Sequence, residues 1–239
     1  MVKRVNESPR EIAFFDVDDT ILKGSSGIFL AQMMVMDRGV TISLSEVGDY
    51  IKAFIQSRAG AIEYDDLVEK GLSRFEGFTR AQVEDVGREC FDNYMRRYIY
   101  RGAYKEIQWH KRRGSLVVLL TASIKIIIEP LGEFLGVDEV IALKPLFENH
   151  RMVPKAEKPY CYEGGKLVLA RQYAEERGID LKDCYFYSDS ISDLPLMEKV
   201  GHPMATNPDP KLLAVALARN FRIRWFSTVL PHDFKPTHF

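Results

Sequence analysis

The sequence predicts an α/β protein, a mostly parallel sheet flanked by helices, with a helical segment inserted after the first strand. Three observations carry this. The short apolar runs IAFF (12–15), SLVVLL (115–120) and CYFY (184–187) lack polar alternation, as strands covered on both faces do, and each runs into acids or hydroxyls. From residue 103 onward such runs alternate with segments of helical period. Between about 26 and 100 there is helical periodicity without a convincing strand.

The elements follow in order. The first strand, 12–15, runs into Asp16-Val-Asp18-Asp19-Thr20. Three amphipathic faces come next: Val47, Tyr50, Ile51, Phe54 and Ile55; then Tyr64, Leu67, Val68, Leu72 and Phe75; then Val83, Val86, Cys90, Phe91, Tyr94, Met95 and Tyr98. Their spacing predicts a small helical bundle over the end of the first strand. A helix over 104–113 should stop at Gly114. Strand 115–120 precedes a helix over 124–135, with Ile127, Leu131, Phe134 and Leu135 inward and Gly136 as its stop. A short strand is expected at 139–142. A helix over 164–177 should bury Leu167, Ala170, Tyr173 and Ala174 and end at Gly178. Strands at 184–187 and 203–205 and a helix over 209–218, opened by Asp209-Pro210, complete the core. The expected division is a core of 1–24 and 103–239 with a helical cap of 25–102 inserted after strand one.

Composition narrows the function. The 239 residues carry 33 Lys+Arg against 34 Asp+Glu, a net charge of −1, and 46% are hydrophobic. A disordered chain would hold fewer apolar residues. No basic excess exists to neutralise a nucleic acid, so none is expected as a partner. Cys90, Cys161 and Cys184 are odd in number and far apart, which argues against a disulfide framework and for a reducing compartment. The opening residues show no signal peptide, and no apolar run approaches the roughly 20 residues that cross a bilayer. A cytoplasmic protein is expected. None of the five histidines has zinc spacing. The basic-aromatic end, Arg222 to Phe239, could close the sheet edge, join a homodimer or touch a lipid headgroup surface, and reads chiefly as a docked tail.

The chemistry concentrates at strand ends, where open α/β sheets bind ligands. Asp16 and Asp18 follow the first strand; three acids behind a buried strand are costly without a cation, although Asp18 and Asp19 could instead cap a helix. Thr121-Ala122-Ser123 after the next strand offers a hydroxyl and backbone N–H groups for phosphate, or a helix N-cap. Gly164-Gly165-Lys166 opens a helix with a cation, which opposes the macrodipole and so needs a reason such as an anionic ligand. Ser188-Asp189-Ser190-Ile191-Ser192-Asp193 puts two acids four apart after a third strand. Together these supply carboxylates for Mg²⁺, a hydroxyl and a lysine for phosphate, and a carboxylate nucleophile.

The order DxDxT, an apolar run ending in Thr, a lone Lys, then SD-x3-D resembles the four motifs of the haloacid dehalogenase-like superfamily. The stretch Val200-Gly-His-Pro-Met-Ala-Thr-Asn-Pro-Asp-Pro210 after SDSISDLPLM is similar to its phosphoserine-phosphatase-like branch, subfamily IB. The likeness covers roughly 12–24 and 103–224. It implies a Rossmann-like core and a Mg²⁺-dependent phosphatase acting on a small-molecule phosphate ester. Asp16 would be the nucleophile that forms an aspartyl-phosphate. Asp18 would protonate the leaving oxygen and later activate water. Asp16, the Asp18 carbonyl and Asp189 would hold Mg²⁺. Thr121, Ala122, Ser123 and Lys166 would hold phosphate, with Asp193 and Ser192 in support.

Asp18 separates reaction classes, since an alkoxide leaving group needs a proton and a halide does not. The branch's phosphoserine enzymes carry a Glu nine residues after the nucleophile to read the substrate ammonium; here that position is Ser25. The cap arginine of those enzymes falls at Gly71 in an ungapped match, with Arg74 nearby. Phosphoserine is therefore disfavoured as the substrate. Lys23, Arg74 and Arg80 could meet an anionic group or simply be solvated. Phe29, Met33, Met34, Met36, Tyr50, Phe54, Phe75 and Phe78 read chiefly as cap core. The alternatives are a phosphoserine phosphatase proper, a phosphotransferase on the same scaffold, and a phospho-acceptor signalling domain.

Overall fold

A computed structural model of the chain describes residues 10–39 and 64–236. Among them are eight strands, numbered in chain order: β1 (Ile12–Phe15), β2 (Leu116–Ile124), β3 (Glu139–Leu143), β4 (Pro145–Glu148), β5 (Arg151–Ala156), β6 (Tyr185–Ser188), β7 (His202–Thr206) and β8 (Arg222–Arg224). Six form one sheet in the order β3-β2-β1-β6-β7-β8, with every pairing parallel. β4 and β5 form a separate antiparallel hairpin. The helices are α1 (Ser26–Met36), α2 (Tyr64–Leu72), α3 (Arg80–Asn93), α4 (Arg101–Arg113), α5 (Lys125–Leu135), α6 (Gly164–Glu175), α7 (Leu194–Met197) and α8 (Pro210–Ala218).

Strand alternation divides the core. Ala13, Phe15, Val117, Leu119, Tyr185, Tyr187 and Met204 face α4, α5 and the inserted helices. Ile12, Phe14, Val118, Leu120, Phe186 and Ala205 face α6, α7 and α8. Both faces are apolar, as the unbroken runs required, and each large aliphatic or phenyl side chain removed from water contributes roughly 2 kcal/mol. The expected stop at Gly114 is a left-handed residue, φ 80°, whose N–H returns to the His110 and Lys111 carbonyls. Asp209 caps α8 by accepting from Lys211 N and Leu212 N, with Pro210 in the first turn.

Among the described residues, both α3 and α2 of the insert pack on the core. α3 opens with a capping box between Thr79 and Gln82 and buries Val83, Val86, Cys90 and Phe91 against α5; Phe91 and Phe134 lie 5.4 Å apart. α2 sets Val68 and Leu72 against Leu143 and Ala156 beside the hairpin. Phe29, Met33, Met34 and Phe75 are core, whereas Met36 is exposed. The face at Val47–Ile55, with Tyr50 and Phe54, lies outside the described residues. The hairpin was not anticipated from sequence; Arg222–Arg224 closes the edge of the sheet beside β7, one of the roles open to the basic-aromatic end. The tail docks across the core and the end of the insert: Phe226 N donates to Asn207 Oδ1, Leu230 N to Ile99 O, and Arg96 Nη2 to Phe234 O. All three cysteines are free and buried, and no helix among the described residues is long and apolar enough to cross a membrane.

Candidate active site

Register brings three strand ends together. Phe15 of β1 pairs with Leu119 of β2 on one side and Tyr187 of β6 on the other. Asp16, Thr121 and Asp189 therefore stand at the carboxyl ends of three adjacent strands, the crevice that open α/β sheets use. Asp16 N donates to Tyr187 O at 2.9 Å, which locks the turn to the middle of the sheet.

Lys166 is the hub. It is buried, and its Nζ donates to Asp16 Oδ1 and to Asp193 Oδ2, each at 2.8 Å. Asp193 Oδ2 also accepts from Ser188 Oγ at 2.6 Å. A surface lysine is thereby ruled out, and the tension between cation and helix start is met by two carboxylates. The helix can begin there because residue 165 is glycine: a Cβ on Gly165 would sit 1.8 Å from Tyr160 O.

The second acid of the first motif has different partners. Asp18 Oδ2 accepts from Ser25 Oγ at 3.0 Å and Oδ1 from Ser26 N at 2.8 Å. The Asp16 and Asp18 side chains thus turn to separate partners, while the Asp18 carbonyl accepts only from Thr20 N, at 2.7 Å, among the bonds of this turn. A carbonyl has a second lone pair for another ligand. Asp19 takes the left-handed conformation, φ 51°, and its Oδ1 accepts from Gly24 N.

Thr121 is buried. β2 runs on past it to Ile124 through an irregularity in the pairing with β3. Thr121 Oγ1 accepts from Ser123 N at 3.2 Å, and Ser123 Oγ meets Ser26 Oγ at 2.7 Å. Ala122 lies half-buried between them. Ser26 therefore touches Asp18 by its N–H and the Thr121 turn by its hydroxyl. Asp189 is half-buried; its carbonyl accepts from Asp209 N at 2.7 Å, and Asp209 Oδ2 accepts from Ile191 N, so the cap of α8 also shapes this loop. Ser192 bonds Ser190 rather than Lys166 or Asp189.

Electrostatics follow from burial and crowding. Burial pushes Asp16 up to about 7; Lys166 opposes the rise, and Asp193 and Asp18 add to it. Asp189 is raised to about 8 by burial, then by Asp16, Asp19 and Asp193. Burial disfavours the Lys166 charge, but Asp16 and Asp193 outweigh it and hold the amine protonated. Asp18 is also raised by burial, against the bonds from Ser26 and Ser25. The strand ends thus carry more negative charge than Lys166 offsets. Among the described residues no three His, Cys, Asp or Glu side chains form a ready metal cage. The donors do fit a hard divalent ion that takes two carboxylates, from Asp16 and Asp189, and the Asp18 carbonyl, and completes its shell with water or phosphate oxygens.

Sequence reading brought forward Asp16, Asp18, Thr121, Lys166, Asp189 and Asp193. It gave no role to Ser188, though that residue opens the last motif, or to Ser26, and did not see Asp209 as a support of the Asp189 loop. A Ser one residue after a strand's last aromatic was the available signal for Ser188.

The family profile of haloacid dehalogenase-like hydrolases matches residues 13–198. The chain is 33% identical over 218 residues to the inhibition of morphological differentiation protein of Streptomyces azureus, across 90% of this chain and 78% of that one. It is 32% identical over 223 residues to a probable phosphatase of Mycobacterium tuberculosis, across 91% and 76%. Among solved structures, a protein of unknown function from Bordetella pertussis Tohama I superposes with a TM-score of 0.82 at 26% identity, over 90% of this chain and 98% of that one. A phosphoserine phosphatase captured as a phospho-aspartyl intermediate analogue shares the fold, with a TM-score of 0.65 at 18% identity over 92% and 95%.

Proposed function

The chain belongs to the haloacid dehalogenase-like hydrolases, and from that premise we propose that it is a Mg²⁺-dependent phosphatase of small phosphate monoesters working through a phosphoryl group on Asp16. The observation that carries this reading is the buried Lys166 Nζ shared at 2.8 Å by Asp16 and Asp193, at strand ends still short of positive charge.

The proposed roles follow from the contacts. An ionised Asp16 carboxylate attacks phosphorus as the bond to the leaving oxygen breaks. Lys166 keeps Asp16 ionised and lowers its repulsion toward a phosphate dianion. Asp18, raised by burial and held by Ser25 and Ser26, carries the proton that the leaving alkoxide needs. Emptied of that proton, it accepts one from the water that hydrolyses the acyl phosphate. Thr121 and Ser123, with Ala122 between them, offer hydroxyl and N–H donors to the phosphate oxygens. Asp193 positions Lys166, and Ser188 positions Asp193. When bound by Asp16, the Asp18 carbonyl and Asp189, Mg²⁺ supplies charge neutralisation for phosphoryl transfer. In this reading residues 25–102 are the cap and 1–24 with 103–239 the core.

The named relatives include a phosphoserine phosphatase of Mycobacterium tuberculosis, 28% identical over 222 residues. Against that substrate, the hydroxyl at residue 25 is bonded to Asp18 and offers no carboxylate for an ammonium group. The reading favours phosphate monoesters without a charged amine beside the phosphate.

The test is hydrolysis of an aryl phosphate. Wild type is expected to lose activity in EDTA and regain it with Mg²⁺. Asp16→Asn is expected to fall by about three orders of magnitude or more. Metal-independent turnover, or full activity in Asp16→Asn, would contradict the proposal.

A further inference from the structure

Asn207 follows β7 directly and joins three parts of the chain. Its Nδ2 donates to Asp19 O at 3.2 Å, across 188 residues of sequence. Its Oδ1 accepts from Phe226 N at 2.8 Å, and its own N donates to Arg224 O at 2.8 Å. One end of the amide meets a carbonyl and the other an N–H, which fixes its orientation. Its backbone is left-handed, φ 44°, a conformation that asparagine tolerates.

The bond to Asp19 bears on a peptide plane. The Asp19 carbonyl and the Thr20 N–H belong to one planar peptide and point in opposite directions. Thr20 N donates to the Asp18 carbonyl at 2.7 Å. That plane is therefore held on one side by Asn207 and on the other by the oxygen offered to the cation. Asp19 is itself left-handed, φ 51°, a strained setting for a residue with a side chain. Its bonds with Gly24, from Asp19 N to Gly24 O and from Gly24 N to Asp19 Oδ1, close the loop on itself. The bond from Asn207 ties that loop to the sheet.

Two residues on, the chain does the same for the other turn. Asp209 N donates to Asp189 O at 2.7 Å, and Asp209 Oδ2 accepts from Ile191 N at 2.9 Å. The segment 207–209 thus grips both turns whose oxygens would meet one cation. The tail seats it: the Phe226 ring fills the space that a Cβ on Gly102 would need, and beyond it Arg101 N donates to Thr228 O and Leu230 N to Ile99 O. We propose that Asn207, seated by the tail, is a positioning residue for divalent-cation binding, fixing the Asp18 carbonyl through the Asp19–Thr20 peptide; this rests on the phosphatase reading above.

Mg²⁺ binding to the metal-free protein, measured by isothermal titration calorimetry without substrate, tests this. Asn207→Asp keeps an acceptor for Phe226 N and the tolerance of a left-handed backbone, but loses the donor to Asp19 O. Its added negative charge alone would tighten Mg²⁺; the positioning role instead raises Kd about tenfold or more. Asn207→Gly, which also tolerates that backbone, should weaken Mg²⁺ likewise. Phe234→Ala removes the tail's ring from its place 4.9 Å from the Tyr104 ring. It should lower the unfolding midpoint and leave the Mg²⁺ Kd within about twofold. A Kd unchanged or lower in either Asn207 variant overturns the positioning role and leaves the phosphatase reading standing, as does Phe234→Ala weakening Mg²⁺ as much as they do. A wild type that binds no Mg²⁺ overturns both.

Discussion

Lys166 shows how one residue can hold a site together. A cation in the first turn of a helix opposes the macrodipole, and a buried amine costs several kcal/mol unless it is paired. Here two carboxylates pair it, and it in turn lets Asp16 and Asp193 share a dry pocket. Lys166→Met should therefore do more than remove a phosphate contact. It leaves the buried Asp16 without its counter-charge, worth about 3–5 kcal/mol of stability when Asp16 is ionised. The sign with pH follows from linkage. An acid whose folded pKa is raised keeps its proton in the folded state, so stability is retained at low pH and lost as pH rises toward the folded value. Urea unfolding of Lys166→Met is expected to show the larger deficit at pH 8 and the smaller at pH 5. A deficit equal at both pH values would contradict this role.

At the scale of elements, the site depends on how tightly turns hold strand ends and helix starts. The start of α6 lies against the 160 carbonyl with no room for a methyl group. Gly165→Ala must shift either Tyr160 or the helix turn that carries Lys166. Overpacking of this kind typically costs about 1–3 kcal/mol, and aryl phosphate hydrolysis should fall well beyond that stability loss. Denaturant midpoints and kcat measured together check it; unchanged kcat would mean that the turn does not position Lys166. The same scale explains what the sequence made legible. β1, β2 and β6 stood out because strands buried on both faces leave continuous apolar runs, and the strand ends beside them marked where acids gather. The hairpin β4–β5 did not, since Pro145 and Pro154 interrupt it and its side chains alternate irregularly. β8 is three residues long and reads Arg-Ile-Arg, a solvated edge. The Ser26–Ser123 contact spans 97 residues of sequence; neither serine carries a local pattern that points to the other.

The whole molecule joins an acid surplus at the strand ends to a helical insert that packs on α5 through α3 and on the hairpin through α2. Without metal, Asp16 and Asp189 carry folded pKa values near 7 and 8, above the ordinary carboxylate range. Their contribution to stability therefore falls as pH rises from about 4 toward 8. A divalent ion competes with those protons, so Mg²⁺ should raise the unfolding midpoint more at pH 8 than at pH 6. Thermal unfolding with and without Mg²⁺ across that range measures it; an increment that is the same, or larger, at pH 6 would contradict the assignment of these acids to a shared cation.

The account turns on Asp16 as the atom group that takes the phosphoryl. Acid quench of wild-type protein during turnover of an aryl phosphate, followed by peptide mass spectrometry, tests this most directly. The expected result is a phosphoryl adduct on Asp16 that forms within the first turnover and is absent from Asp16→Asn. An adduct on another residue, or steady turnover with no adduct on Asp16 at any time, would contradict it.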